Sequence, residues 1–266
     1  MVVKPRGQHL AARVDGSGNT EGGSAVVSET RERPALFYAR VAGFIYLTAM
    51  ALGIFSQVFI LGHIVVPGEA ALTARNILAS EGLFRWGIVI DVVTFASDVV
   101  IGWAFYELLK PVDKSLALLG AFFRMADGAV LAVTTFSALI TLRLLSGVDY
   151  LHSFEAGQLQ ALARLFVGAR GLGFDVGFVF LGLGSSIFAY LLFQSRYVPQ
   201  LLAGWGVFSS LALALGSLAV ILSPWFAAHA AMTYMVPMFF YEVPLGLWFL
   251  IRGVRAPSAA AARTGS

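Results

Sequence analysis

From residue 41 onward the chain alternates between long apolar stretches and short polar breaks. The stretches cover 41–61, 84–109, 116–142, 172–193, 201–222 and 232–251. Each is close to the roughly 20 residues that a helix needs to cross about 30 Å of hydrocarbon. The second ends at Lys110-Pro111 and the fifth at Ser223-Pro224, where proline removes a backbone donor and stops the run. Trp86, Trp103, Trp205, Trp225 and Trp248 fall near the ends of these stretches. An apolar ring with one N–H donor suits the membrane interface. The pattern predicts an all-α polytopic membrane bundle of about six transmembrane helices.

Two of the breaks carry amphipathic segments. One covers 69–80, with Leu72, Ile77 and Leu78 on its apolar side. The other starts at Ser153, read as an N-cap, and carries Leu159, Leu162, Leu165 and Phe166. Both are expected to be short interfacial helices in external loops, with a membrane-entering half-helix as the alternative. Residues 1–34 are polar and rich in Gly, Ser, Glu and Arg and read as a disordered cytosolic tail. The six-helix domain is expected over 35–254, followed by a second cytosolic tail, 255–266.

Composition agrees with the pattern. Hydrophobic residues make up 58% of the 266 and charged residues 12%, about half the charged share of a soluble domain. Mean hydropathy is +0.81. Lipid can accommodate that much apolar surface, and water cannot. The absence of Cys excludes disulfides and thiolate metal sites. The basic balance, with a pI near 9.3, comes from Lys and Arg at helix ends. It therefore speaks of orientation rather than of nucleic acid. With the N-terminus inside, and the distal tail residues Lys4, Arg6 and Arg13 left out, inner segments hold nine Lys and Arg against five outside. A multi-pass protein of the plasma (inner) membrane with both termini cytosolic is expected. Its partner is the lipid bilayer, and the reading is compatible with a homo-oligomer or a membrane partner. No nucleic acid, cofactor or metal is expected.

The charges inside the apolar stretches change the picture, because a buried charge in a membrane is costly and often functional. Asp98 lies 11 residues before the end of the second stretch, Asp127 11 residues into the third, and Glu242 nine residues before the end of the sixth. At 1.5 Å per residue all three stand roughly 14–17 Å from the inner face, near the midplane. Arg124 precedes Asp127 by three positions, so the two can share a helix face. Arg124 is expected to be the counter-charge of Asp127, with Asp98 or Glu242 as a second partner. Three acids around one base leave at least one carboxyl protonated, and such a group can carry protons. Two readings stay open: a proton- or cation-linked carrier site, or an ion-pair lock in a non-transporting membrane module for partner packing or membrane sensing. Arg85, Asp91, Arg143, Arg170 and Asp175 form a second set near the outer face, read as snorkelling side chains and ion pairs.

Three further features carry less. Pro237 and Pro244 flank Glu242, and a bent helix there frees carbonyls beside the acid. The fourth stretch is rich in small residues, Gly173, Gly177, Gly182, Gly184, Ser185 and Ser186, which let helices approach closely. A serine protease of the rhomboid type is the least supported reading. The string Gly182-Leu183-Gly184-Ser185-Ser186 is not Gly-x-Ser-Gly, and His229 precedes the sixth stretch. No catalytic residue is assigned and no enzyme is expected. Shifting the chain by 84 residues aligns Gly87 with Gly171, Asp91 with Asp175, Tyr106 with Tyr190 and Gly120 with Gly204. This suggests a parallel repeat of surface helix, span in and span out.

Several strings resemble a bacterial membrane family called domain of unknown function 4386. They are Ala39-Arg40 with Gly43 and Tyr46, Val66-Pro67-Gly68-Glu69, and Asn76-Ile77-Leu78-Ala79-Ser80-Glu81. Lys110-Pro111-Val112, Phe122-Phe123-Arg124, Gly182-Leu183-Gly184, Tyr190-Leu191-Leu192, and Glu242 followed by Leu247-Trp248-Phe249 complete the set. The resemblance spans about residues 38–255 and implies a multi-span bacterial membrane protein. It supplies no catalytic residues. Arg124 and Glu242 fall inside the family-like strings, and Asp98, Asp127 and Asp175 fall outside them.

Overall fold

A computed structural model describes residues 20–151, 153–230 and 233–254. Among them there are helices and turns and no strand. The chain groups into two compact units, Met1–Pro34 and Ala35–Ser266. In the first, the described part is the start of helix α1 (Thr20–Phe55). Residues 20–34, expected to be disordered, are thus helical. Glu29, Glu32 and the neighbouring arginines favour a helix and no proline intervenes before Pro34. Residues 1–19 and 255–266 of the two expected tails lie outside the described residues.

The second unit is the membrane bundle. Its six helices long and apolar enough to cross a membrane are Pro34–Ile64, Glu81–Leu109, Lys114–Leu145, Ala156–Ser195, Gln200–Leu222 and Thr233–Ile251. Each contains the greater part of one apolar stretch. α1 does not run to Ile64 as one regular helix. It widens into a π-helical segment, Ser56–Leu61, before a last turn, Gly62–Ile64. Then follow α2 (Ala70–Ala79), α3 (Glu81–Leu109), α4 (Lys114–Leu145), α5 (Ala156–Ser195), α6 (Gln200–Leu222), α7 (Pro224–Ala230) and α8 (Val236–Ile251).

Local chemistry sets the boundaries. Asp113 caps α4, its carboxylate accepting the Leu116 N–H at 2.9 Å. That makes 110–113 a tight turn between the antiparallel α3 and α4. α5 begins at a capping box in which Glu155 and Gln158 satisfy each other's backbone N–H groups. Ser153 is therefore not the cap. No break follows, so the second amphipathic segment is the first part of α5 rather than a separate interfacial helix. At 40 residues, α5 is about 60 Å long, twice the hydrocarbon thickness. Its counterpart α2 does end, at Ser80. The aligned halves therefore differ where a repeat would have them alike.

α2 is docked rather than merely laid on the surface. Thr73, Ala74 and Ile77 are its buried residues, and Leu78, on the expected apolar side, is 52% exposed. The Thr73 hydroxyl donates to the Val66 carbonyl and accepts the Val66 N–H, and the Asn76 amide donates to the Ile64 carbonyl. Ile77 packs with Ile60, Ile64, Phe84 and Ile88 in a small apolar cluster at this end, the α2 end, of the bundle. A larger cluster fills the opposite end, near the 110–113 turn, around Phe105, Phe188, Tyr241 and Phe249.

Small residues set the helix spacing. A Cβ on Gly43 would stand 2.7 Å from the Gly246 carbonyl oxygen, and one on Gly182 2.5 Å from that of Ser210. These approaches join α1 to α8 and α5 to α6 without room for any side chain. The outward faces are apolar: Val133, Phe136, Leu215 and Leu222 are all more than half exposed. Such a surface suits a lipid environment. Pro237 lies in the first turn of α8, where its missing donor costs nothing. Pro244 alone interrupts that helix.

Candidate functional site

Five helices converge at the depth expected for the midplane charges. Asp98 on α3 and Arg124 on α4 form a buried salt bridge through Nη2 and Oδ1; they are 8% and 3% exposed. The other terminal nitrogen of Arg124 donates to Ser185 Oγ on α5 at 3.4 Å. Its guanidinium carbon stands 5.5 Å from the centre of the Tyr46 ring on α1, within cation–π range. The Tyr46 hydroxyl donates to Glu242 Oε1 on α8 at 3.0 Å. Asp98, Arg124, Tyr46 and Glu242 thus form one chain of contacts across the bundle.

Glycines let the ion pair form. A Cβ on Gly102 would lie 3.3 Å from Arg124 Cβ, and one on Gly128 3.3 Å from Asp98 Cβ. Each charged residue stands opposite the glycine one turn beyond its partner. The antiparallel pairing of Asp98-xxx-Gly102 with Arg124-xxx-Gly128 thus brings α3 and α4 close enough for a direct charge contact.

Asp127 departs from expectation. It is 1% exposed, and neither carboxyl oxygen has a hydrogen-bond partner among the described residues. The expected Arg124–Asp127 pair is therefore corrected to Arg124–Asp98. The reason is geometric. Positions three apart on a helix diverge by about 60°. Arg124 reaches α3, and Asp127 points at α5, where a Cβ on Gly177 would come 3.0 Å from Asp127 Oδ1. Asp127 still lies within electrostatic reach of Asp98, Arg124 and Glu242. The four expected cluster residues are neighbours, with a different pairing.

The outer set separates into distinct roles. Arg170 holds Asp91 in a bidentate grip, Nε to Oδ2 at 3.0 Å and Nη2 to Oδ1 at 2.8 Å. Nη1 donates to Gln57 Oε1 at 2.8 Å, and Ser56 donates to Asp91 at 3.4 Å. The guanidinium also lies 4.7 Å from the centre of the Phe174 ring. Arg85 pairs with Glu81 on the exposed surface, Arg143 is exposed in the last turn of α4, and Asp175 accepts the Tyr234 hydroxyl at 3.0 Å. Between the two buried ion pairs stand Phe95 and Phe174, edge to face at 5.9 Å. They form an apolar layer between Asp91–Arg170 and Asp98–Arg124.

Sequence reasoning from charge alone passed over Tyr46, Ser56 and Gln57, and it weighed Ser185 as a small packing residue or a nucleophile rather than as a partner of Arg124. Uncharged polar groups in the first apolar stretch were the available signal: Ser56-Gln57 interrupts it, and Tyr46 stands in its middle. His229 stacks on Trp225 at 4.7 Å and is exposed, while Ser185 is bound by Arg124. Among the described residues no three His, Asp or Glu side chains gather as a metal site.

The family model described as Domain of unknown function (DUF4386) matches residues 41–253. An uncharacterized protein from Archaeoglobus fulgidus is 25% identical over 158 residues, which cover 59% of this chain and 76% of the relative. No solved structure matches. With six spans, and with the match running from within the first span to just past the last, the chain belongs to the family described as Domain of unknown function (DUF4386).

Proposed function

We propose that the chain is a small proton-linked membrane carrier in which Arg124 has two competing carboxyl partners. Asp98 holds it in the arrangement described, and Asp127 is protonated. The exchange is simple: Arg124 turns from Asp98 to Asp127, Asp127 releases its proton, and Asp98 takes one up. Net charge in the cluster stays constant through the exchange, which keeps the cost in low dielectric down. The observation that carries this reading is the fully buried, unpartnered Asp127 carboxyl beside an arginine bound elsewhere. Burying an unpaired carboxylate costs far more than burying the neutral acid. The proposed location is the plasma (inner) membrane, and the Lys and Arg distribution supports an orientation with both termini cytosolic.

A second reading is favoured by the close glycine contacts around the pair: a non-transporting module in which Asp98–Arg124 is a permanent lock. A hydrophobic carbodiimide separates the two, because it adds to protonated carboxyls in apolar surroundings. The carrier predicts that Asp127 is labelled, and that labelling falls as the pH is raised, because its proton exchanges with water. A lock predicts an Asp127 that does not respond to pH.

A further inference from the structure

Beside the Asp91–Arg170 pair lies a cavity of about 180 Å³. Its walls are apolar, from Leu61, Phe84, Ile88, Phe166 and Val167, and its polar end is Gln57 with Asp91 and Arg170. Three properties define what fits. The first is size: a cavity of roughly 150 Å³ lined by apolar side chains can hold one benzene ring. The second is charge. The bidentate contact neutralises Arg170 with Asp91, so the polar end offers no net charge to an ion. The third is hydrogen bonding. Gln57 gives its oxygen to Arg170, which leaves its two amide donors for another partner.

The backbone is shaped to make this site. The π-helical segment Ser56–Leu61 inserts one extra residue per turn, closed by the Gly62 N–H on the Gln57 carbonyl. Such segments recur where a helix must present side chains out of register. Here it directs Ser56 and Gln57 to the ion pair and Leu61 to the cavity wall. Gly171, exposed and lining the cavity, marks its surface end, and a Cβ added there would meet nothing within 4 Å. Asp91 stands seven residues from Asp98, about 10 Å along α3, so the site lies within one leaflet and a ligand reaches it through lipid.

We propose that this cavity binds one small neutral amphiphile, with a body the size of a single ring and a hydrogen-bond-accepting hydroxyl or carbonyl end against Gln57. The site stands apart from the carrier reading, since the Phe95–Phe174 layer separates it from Asp127. The test uses the full chain in lipid nanodiscs and fluorine NMR of para-fluorobenzyl alcohol. A saturable shift beyond that of empty nanodiscs is expected. It should be lost in Gly171→Leu, which fills the cavity from its open side, and weakened in Gln57→Leu. Ala138→Leu fills it from α4 and serves if Gly171→Leu does not fold. Para-fluorobenzoate and para-fluorobenzylamine should show no saturable shift. Equal shifts for wild type and filled variants would mean partition into lipid alone and would overturn the proposal. Tighter binding of either ion than of the alcohol would do the same.

Discussion

Arg124 and Asp127 stand one turn apart on the same helix, yet Arg124 forms its salt bridge with Asp98 on the neighbouring helix. Asp127 is left with neither oxygen bonded among the described residues. Two carboxyls therefore border one buried guanidinium, and only one of them holds it.

The pairing predicts strong coupling between Asp98 and Arg124. Breaking a buried pair from one side costs about 3–5 kcal/mol, because a charge is stranded. Arg124→Ala should lower thermal stability in detergent by that order, and Asp98→Ala by less, because Asp127 can replace it as the partner of Arg124. The double mutant should lose clearly less than the two together. Simple additivity would show that the residues do not interact.

The two single variants should differ in their response to pH. Arg124→Ala strands carboxyls, which become neutral by taking up protons, so its deficit against wild type should shrink in acid. Asp98→Ala leaves a cation that cannot readily lose its proton and that turns to Asp127. Its deficit should not shrink in acid, because acid protonates Asp127 and removes that substitute pairing. Melting curves from mildly acidic to alkaline pH check the sign.

Glycine positions give a contrast free of charge effects. A Cβ on Gly182 would meet the Ser210 carbonyl oxygen at 2.5 Å and the Ala214 nitrogen at 2.7 Å. Backbone of a packed helix cannot give way cheaply, so Gly182→Ala should destabilise by at least about 1–3 kcal/mol. At Gly171 there is open space, and Gly171→Ala should be neutral or stabilising by up to about 1 kcal/mol. Thermal stability of the two variants decides it.

Much of this was legible in the chain, for physical reasons that also explain what was not. Counting residues from the ends of the apolar stretches puts Asp98, Asp127 and Glu242 near one depth, with Arg124 about a turn nearer the inner face, because the rise of a helix is fixed. Depth does not fix direction. Whether Arg124 turns to Asp127 or to Asp98 depends on Gly102 and Gly128 drawing α3 onto α4, which is a property of two helices together. The continuity of α5 through 164–172 was hidden because Gly168 and Gly171 look like breaks, and only the absence of proline argues otherwise. The role of Ser56 and Gln57 depends on a π-helical register that hydrophobic periodicity does not encode.

Orientation can be tested cleanly, because the chain has no Cys. Single cysteines at Ser115 and Tyr197 should react with a membrane-impermeant maleimide only after the inner face is opened. One at Gly147 should react in intact cells. The reverse pattern would invert the topology.

The central claim is that Asp127 carries a proton while Arg124 holds Asp98, and infrared spectroscopy of the protein in lipid reads this directly. At neutral pH the wild type should show a carboxylic-acid C=O band that shifts down in D₂O and is missing from Asp127→Asn. In Asp98→Asn the band should also disappear, because Arg124 then takes Asp127 as its only neighbouring carboxylate on this side of the cluster. A wild-type spectrum without that band, or one in which the band survives Asp127→Asn unchanged, would contradict the account.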